Sequence, residues 1–278
     1  MGPRARPAGR RSREAPGGAV PRGSCSALGE TRRVSEDPSR PRTPDEELLE
    51  AEVAEVLSLQ SDAARVERIA REFAAGFQGL AHVGPAVSFF GSARTPRDDP
   101  EYESACALAR RLGEAGFAII TGGGPGAMEA ANKGAQEAGA LSIGLRIDLP
   151  FEYGVNKYVD LPLDFHYFFA RKVMFVRYAS AFIVYPGGFG TADELFEALT
   201  LIQTGKLRHF PVILFGSDYW KGVVDWLRAP VLEQGKISPE DLELFQVCDN
   251  ADTVVRIVEQ AVHRQARRPL PPGEAAAR

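Results

Sequence analysis

The sequence predicts an α/β fold in which a doubly wound parallel sheet carries helices on both faces and is preceded by N-terminal helices. Three observations predict it. From residue 85 onward, short apolar segments alternate with segments of helical spacing. Two of the apolar segments end in glycine clusters that lead directly into a helix. Glycine or small polar residues also follow three of the predicted strands, where such sheets bind their ligands.

The predicted elements follow one another in a regular order along the chain. Two helices, 48–57 and 62–80, form an N-terminal helical segment over 45–84. The main domain, 85–266, has nearly continuous apolar runs that predict strands buried on both faces: 86–90, 117–120, 141–145, 181–185 and 211–215. Helical spacing predicts the helices 102–115, 126–138, 165–178, 193–204, 220–233 and 251–264. An irregular stretch is expected over 148–161. The pattern is Rossmann-like.

The two ends of the chain differ in composition from this domain. Residues 1–44 contain ten arginines and four acidic residues, a net charge of +6, which leaves −10 for residues 45–278. Because the first segment is rich in Pro, Gly, Ser and Arg and has no apolar period, we expect a disordered basic tail. Residues 267–278, rich in Pro and Ala, are expected to be a frayed C-terminal tail. The acidic main body argues against a nucleic-acid partner.

Composition also excludes several classes of protein. With 44% hydrophobic and 25% charged residues, the chain is typical of a globular protein. No segment approaches the roughly 18 apolar residues of a membrane helix, and the N-terminus has no apolar signal core. Cys25, Cys106 and Cys248 are too few and too scattered for a disulfide framework or a zinc site. The isolated histidines show no metal-ligand spacing. We therefore expect a cytoplasmic protein without a metal, a cofactor or a membrane partner.

The more informative glycine cluster lies in the segment 184–194, Val-Tyr-Pro-Gly-Gly-Phe-Gly-Thr-Ala-Asp-Glu. Gly187, Gly188 and Gly190 let backbone N–H groups approach a ligand closely, and a helix start adds a partial positive charge, so an anion fits here. Thr191 and Glu194 also have the spacing of a capping box, in which they would satisfy the first backbone donors of the helix. Spacing alone leaves both interpretations open.

A second cluster, Gly122, Gly123 and Gly124, follows the next predicted strand and opens the helix 126–138, with Pro125 suited to its first position. Neither cluster has the Lys-Ser/Thr pair of a Walker loop or the Gly-x-Gly-x-x-Gly pattern of a dinucleotide site. Two such junctions in one parallel sheet nevertheless predict a nucleotide-sized ligand that carries phosphate.

Two segments resemble a known family. Residues 186–194 resemble the Pro-Gly-Gly-x-Gly-Thr-x-x-Glu signature of the LONELY GUY (LOG) family, which is also labelled "possible lysine decarboxylase". Arg171-Lys172-Val173-Met174 resembles the Arg-Lys-x-x-Met segment of that family. The resemblance covers residues 86–204 and continues more weakly to 265, and the N-terminal helices are similar to those of the longer bacterial members.

The resemblance implies a Rossmann-fold phosphoribohydrolase, as for cytokinin riboside 5′-monophosphates. Such an enzyme cleaves the N-glycosidic bond of a nucleoside 5′-monophosphate, AMP or a cytokinin nucleotide, to give the free base and ribose 5-phosphate. It also implies a homodimer or a larger homo-oligomer. Two departures concern base specificity. The second glycine loop is one residue shorter than the Gly-Gly-Gly-x-x-Gly-x-Met of the short plant-like forms, and Ser92 is followed by Ala93-Arg94 rather than by another serine.

By the same resemblance, Arg171 and Glu194 occupy the catalytic positions. The candidates for substrate binding are Ser92, Gly122, Gly123, Gly124, Met174, Gly187, Gly188, Gly190 and Thr191. The chemistry agrees with these residue types, because a carboxylate stabilises the positive charge that develops on the ribose and orients water. The planar fork of arginine suits a phosphate or ribose oxygen, or assists the departing base.

Three other functions compete with this one. A purely structural oligomerisation domain leaves the two glycine junctions unexplained. A pyridoxal phosphate decarboxylase needs a lysine for the Schiff base, and no lysine stands in a recognisable setting for one. A non-catalytic module that binds a nucleotide or the molybdenum cofactor is compatible with the fold, because fold alone does not decide function. The pair Arg171 and Glu194 favours the enzyme.

Overall fold

The structure, a computed structural model, describes residues 43–49, 62–148, 154–207 and 210–266. The expected basic tail up to residue 42, the predicted helix beyond residue 49, the C-terminal tail, Cys25 and His209 lie outside these residues. Within them, seven parallel strands form one sheet in the order β4-β3-β2-β1-β5-β6-β7. The predicted doubly wound, Rossmann-like parallel sheet is confirmed.

From residue 86 onward, strands and helices alternate along the described chain except between β3 and β4, where no helix is described. The strands are β1 (Ala86–Phe90), β2 (Ala118–Thr121), β3 (Ser142–Ile147), β4 (Leu161–Phe165), β5 (Ala179–Val184), β6 (Val212–Phe215) and β7 (Gln246–Cys248). The helices are α1 (Pro44–Leu49), α2 (Asp62–Leu80), α3 (Pro100–Glu114), α4 (Ala127–Glu137), α5 (Phe168–Tyr178), α6 (Phe189–Gln203), α7 (Ser217–Trp226) and α8 (Ala251–Ala266). Among these helices, none is long and apolar enough to cross a membrane.

The core lies on both faces of the sheet, because the side chains of each strand alternate between them. On β1, Val87 and Phe89 belong to an apolar cluster that includes residues of α3, α4 and α8, whereas Phe90 belongs to a second cluster that includes residues of α2, α5, α6 and α7. The Phe90 ring lies 4.9 Å from that of Phe175 on α5 and 4.8 Å from that of Phe182 on β5, measured between ring centroids. These contacts hold α5 against the centre of the sheet.

Neither edge strand was predicted from the sequence. Residues 161–165, which span the end of the predicted irregular stretch and the predicted start of a helix at 165, form β4 at one edge, and the three residues of β7 form the other edge. Pro162 is compatible with β4 because an edge strand leaves one row of backbone groups without a partner strand. Helix α5 consequently begins at Phe168 and not at residue 165.

Several helix boundaries also differ from those expected. Helix α6 begins at Phe189, four residues before the predicted start. Helix α4 begins at Ala127 with Gly126 as its N-cap, so Pro125 precedes the helix and the prediction for it was wrong. After α7 the chain continues as a π-helix, Leu227–Val231, around Pro230. Proline lacks the N–H that a regular turn requires.

The residues that lead into α5 are held by a side chain from another helix. Glu72 of α2 is buried, and its carboxylate accepts from the backbone N–H of His166 (3.2 Å) and of Tyr167 (3.3 Å). Its Oε1 also lies 2.8 Å from His166 Nδ1. Asp45 of α1 accepts from the N–H of Phe168 at 3.3 Å. The N-terminal helices therefore satisfy backbone donors that the start of α5 leaves without intrahelical partners.

Replacing Glu72 by glutamine should lower the free energy of unfolding by about 1–2 kcal/mol, because an amide can accept at only one of the two positions that the carboxylate occupies. The matched control is Glu67→Gln on the same helix. Glu67 is exposed and lies 4.0 Å from Arg71, so its loss should cost close to nothing. Urea denaturation of both variants measures the difference, and equal stabilities would contradict the capping role of Glu72.

Candidate active site

The site lies where the strand order reverses. The chain runs outward from β1 through β2, β3 and β4, then returns to β5 beside β1 and continues through β6 and β7. The loops after β1 and β5 diverge at this point, which is where open α/β sheets bind ligands. The two loops are tied together by the N–H of Ser92, which donates to Pro186 O at 2.9 Å. A cavity of about 900 Å³ opens beside them, a size typical of small-molecule sites.

The start of α6 forms one wall of this cavity. Its N-cap is Gly188, which has no side chain to cap the helix, and Ala192 donates the first intrahelical bond, to Gly188 O at 3.0 Å. Thr191 is therefore the third residue of the helix and not its N-cap, so the capping box does not form. The backbone donors of Phe189, Gly190 and Thr191 and the helix dipole together favour an anion at this helix end.

Gly187 lies against this helix start. A Cβ atom at position 187 would overlap the Thr191 hydroxyl and lie 2.6 Å from Thr191 Cβ. The carbonyl of Gly187 accepts from Tyr219 Oη at 2.6 Å, which links the loop to α7. Because only glycine fits, the loop can pack directly on the buried Thr191.

The β2–α4 loop forms a second wall and is held by side-chain amides. Asn156 Nδ2 donates to the carbonyls of Gly123 (3.1 Å) and Gly124 (3.0 Å) and to Asn132 Oδ1 (2.9 Å). Thr121 Oγ1 donates to the same Asn132 oxygen at 2.6 Å and accepts from the Gly123 N–H at 2.9 Å. The conformation of the loop therefore depends on residues that lie outside it.

Arg171 of α5 reaches the cavity across this loop. A Cβ at Gly122 would overlap Arg171 Nη2 and lie 2.8 Å from Met128 Sδ, so the glycine leaves room for the guanidinium. Arg171 Nε donates to Leu145 O at 2.8 Å, and its Cζ lies 5.2 Å from the centroid of the Phe175 ring. These contacts fix the plane of the guanidinium at the wall of the cavity.

Glu194, the sixth residue of α6, lines the same cavity yet is only 7% exposed. Its Oε2 is buried and has no hydrogen-bond partner among the described residues. Burial raises the pKa of Glu194 to about 7, against the attraction of Lys172 and Arg171, which lowers it, and with the repulsion of Glu197 and Asp193, which raises it further. A carboxylate with such a pKa exchanges a proton readily near neutral pH.

Lys172 lies next to Arg171 on α5 and connects that helix to α6. Its Nζ lies 2.9 Å from Asp193 Oδ1 and 2.9 Å from Glu197 Oε2, and its side chain is 15% exposed. Burial disfavours the charge of Lys172, but the ion pairs with Glu197 and Asp193 outweigh this effect and raise its pKa. Two cations of α5 therefore face the acidic start of α6.

Comparison with known proteins decides the family. The family model described as "Possible lysine decarboxylase" matches residues 128–258. A cytokinin riboside 5′-monophosphate phosphoribohydrolase of Arabidopsis thaliana is 32% identical over 168 residues, which are 58% of this chain and 75% of the relative. The protein of that name from Mycobacterium tuberculosis is 30% identical over 166 residues, 56% of this chain and 87% of the relative.

The chain belongs to the LONELY GUY (LOG) family. The resemblance drawn from residues 171–174 and 186–194 is thus confirmed, and both of these LOG relatives are named as phosphoribohydrolases. Among solved structures, the molybdenum cofactor binding protein of Rippkaea orientalis is 22% identical with a TM-score of 0.48, covering 64% of this chain and 97% of that one. A likeness of that extent carries no argument about what the LOG chain binds.

Most of the residues proposed for the LOG site meet at this cavity. Nine of them line it: Ser92, Gly122, Gly124, Arg171, Gly187, Gly188, Gly190, Thr191 and Glu194. Gly123 and Met174 are not among the described lining residues. Met174 is fully buried and packs on α2, where a Cβ at Gly76 would lie 2.7 Å from Met174 Cε. Its position in the family segment therefore serves the packing of α5.

Two residues of the candidate site, Tyr219 and Asn156, were not predicted from the sequence. Tyr219, after β6, lines the cavity and could have been found, because it too follows the carboxyl end of a strand. Asn156 lies in the stretch expected to be irregular, and nothing in its local sequence indicates that it holds the β2–α4 loop. Among the described residues, no group of three or more His, Cys, Asp and Glu side chains could hold a metal ion.

The raised pKa of Glu194 predicts a pH-dependent stability. A carboxyl group whose pKa is higher in the folded state than its ordinary 4.5 stabilises the fold fully below 4.5, and this contribution is lost as the pH rises through about 7. Glu194→Gln has no such loss. Its stability relative to the wild type should therefore increase by about 2 kcal/mol between about pH 5 and about pH 8. Denaturant melts at both pH values measure this change, and parallel curves would contradict it.

Proposed function

We propose that this protein hydrolyses the N-glycosidic bond of nucleoside 5′-monophosphates and releases the free base and ribose 5-phosphate. AMP and cytokinin riboside monophosphates are the proposed substrates. The observation that carries the proposal is the buried carboxylate of Glu194 in the same cavity as a helix start without a side-chain cap and the guanidinium of Arg171. The names of the LOG relatives support it.

The geometry suggests how a monophosphate would bind. The 5′-phosphate accepts hydrogen bonds from the backbone N–H groups of Phe189, Gly190 and Thr191 at the start of α6. Glu194 follows Thr191 by three residues, a rise of about 4.5 Å along the helix. A ribose lying along this first turn therefore places its anomeric carbon near the carboxylate while its phosphate remains at the helix end. Nucleosides without the phosphate lose this anchor.

Glu194 supplies the chemistry at the anomeric carbon. As the bond to the base breaks, positive charge develops on the ribose, and the ionised carboxylate stabilises it. The carboxylate also accepts a proton from the water whose oxygen bonds to C1′, and the departing base leaves with the bonding electron pair and takes up a proton. A pKa of about 7 suits this role, because the group is substantially ionised at neutral pH yet still basic.

Arg171 supplies a fixed cation in the wall of the same cavity. Because Leu145 O holds its Nε and the Phe175 ring lies against it, the planar group is presented in one orientation. Such a fork binds a phosphate or ribose oxygen through two hydrogen bonds, which a lysine at this position would not reproduce. Substrate binding and the pKa of Glu194 therefore both depend on this side chain.

The test is a panel of nucleoside 5′-monophosphates with the matching nucleosides as controls. Free base and ribose 5-phosphate should appear from monophosphates and not from nucleosides, as followed by chromatography. Glu194→Gln should reduce kcat by about 100-fold or more, because the variant cannot accept the proton. If the protein bound AMP without releasing base, a nucleotide-binding role would replace this proposal, and if it neither bound nor cleaved any of them, both would be wrong.

A glycine pair tests the phosphate loop in the same assay. Gly187→Ala should lower kcat/KM for monophosphates by about 100-fold, since the added methyl group displaces Thr191 and the start of α6. Gly222→Ala on α7 is the matched control, because a Cβ there meets nothing within 4 Å. It should leave kcat/KM unchanged. Equal kinetics for both variants would show that phosphate binds elsewhere.

We also propose that the protein is a homodimer or a larger homo-oligomer. Helices α5 and α6 expose several large apolar side chains: Phe168, Phe169, Val173 and Phe196. Surfaces of this kind commonly mark protein interfaces. Light scattering should therefore give at least twice the mass of the 30.2 kDa chain, and Val173→Glu should reduce it. A mass of one chain at micromolar concentration would contradict the proposal.

A further inference from the structure

Three carboxylates stand within five residues at the start of α6: Asp193, Glu194 and Glu197. Asp193 and Glu197 are one helical turn apart, and Glu194 is three residues from Glu197, so each lies near another on the helix surface. Like charges this close raise one another's affinity for protons. Without compensation, the buried Glu194 would be the group to take up a proton, since burial already disfavours its charge.

Lys172 is placed to compensate both neighbours at once. Its Nζ contacts Asp193 Oδ1 and Glu197 Oε2 at 2.9 Å each, so one cation joins the two carboxylates on either side of Glu194. The side chain is largely withdrawn from solvent, which strengthens these contacts relative to an exposed ion pair. The attraction of Lys172 also acts on Glu194 directly, and is the largest of the effects that lower the pKa of that group.

The charged groups that act on Glu194 come from two helices. Helix α5 contributes the cations Lys172 and Arg171, and α6 contributes the anions Glu197 and Asp193. Arg171 donates to Leu145 O and lines the cavity, whereas Lys172 forms ion pairs with the two acidic neighbours of Glu194. The two adjacent cations therefore have different contacts, and a change at Lys172 removes a charge near Glu194 without removing a residue that lines the cavity.

We propose that Lys172 is a positioning residue that increases the ionised fraction of Glu194 at neutral pH by neutralising the two carboxylates beside it. The inference rests on the proposed function for the role of Glu194 in hydrolysis, but the effect on its protonation does not depend on any substrate. A purely structural role, in which Lys172 only joins α5 to α6, predicts no change in the titration of Glu194.

The test is a titration of the Glu194 carboxyl by ¹³C NMR in full-length protein labelled at glutamate, with the signal assigned by its loss in Glu194→Gln. The wild-type midpoint is expected near 7. Lys172→Met should move it upward by about one unit or more, because a nearby opposite charge is removed. Lys172→Arg, which keeps the charge, should restore a midpoint close to that of the wild type. Asp193→Asn should move it downward, since a like charge is removed.

The same variants give an activity readout. The acid limb of kcat/KM for AMP against pH should shift upward in Lys172→Met by the amount found by NMR, so that activity lost at neutral pH returns in alkaline buffer. A wild-type midpoint in Lys172→Met with a uniformly lower rate at every pH would overturn the inference. Should Lys172→Met fail to fold by circular dichroism, Asp193→Asn decides, and an unchanged midpoint there overturns it. If wild-type protein released no base while these NMR shifts were observed, the proposed function would fail and the inference would stand.

Discussion

The charge of Glu194 is disfavoured by its burial, and the cations of α5 counter this effect only in part. That balance requires α5 and α6 to lie side by side, with Arg171 and Lys172 projecting from one toward the other. The sheet provides the arrangement, because β5 directly follows α5 and leads into α6. The Phe90 ring packs on Phe175 of α5 and on Phe182 of β5, and so holds this helix and this strand together. The charged groups that act on Glu194 are therefore brought together because α5 and α6 are joined through β5 and lie side by side.

The cavity itself follows from the order of the strands. Because β1 and β5 are adjacent but their connections lead in opposite directions, their loops separate and leave a crevice. Close contacts then shape its walls. Glycine at 187 allows the loop to pack on Thr191, and glycine at 122 makes room for the Arg171 guanidinium. The glycines therefore serve two purposes, since they expose backbone donors in one loop and accept a neighbouring side chain in the other.

The N-terminal helices belong to this arrangement. Along α2, Glu72 binds the backbone just before α5, Gly76 leaves room for Met174, and the carbonyl of Phe77 accepts from Tyr178 Oη at 3.4 Å. Arg171 and Lys172 lie between these points of attachment. This packing on α2 gives Met174, the last residue of the LOG family segment, a structural role. The N-terminal helices, which lie outside the main domain in the sequence, thus support α5, the helix on which the candidate site depends.

The sequence by itself determined the parallel α/β sheet, its central strands and the two glycine junctions, because continuous apolar runs and glycine clusters are local signals. It also indicated Arg171 and Glu194 through the family signature. Tertiary structure alone decided that Thr191 is not a helix cap, that Met174 packs on α2, and that Asn156 holds the Gly123–Gly124 carbonyls. It likewise decided the edge strands and the ion pairs of Lys172. Each of these depends on contacts between residues far apart in the chain, and the burial that sets the pKa of Glu194 exists only once the helices have packed.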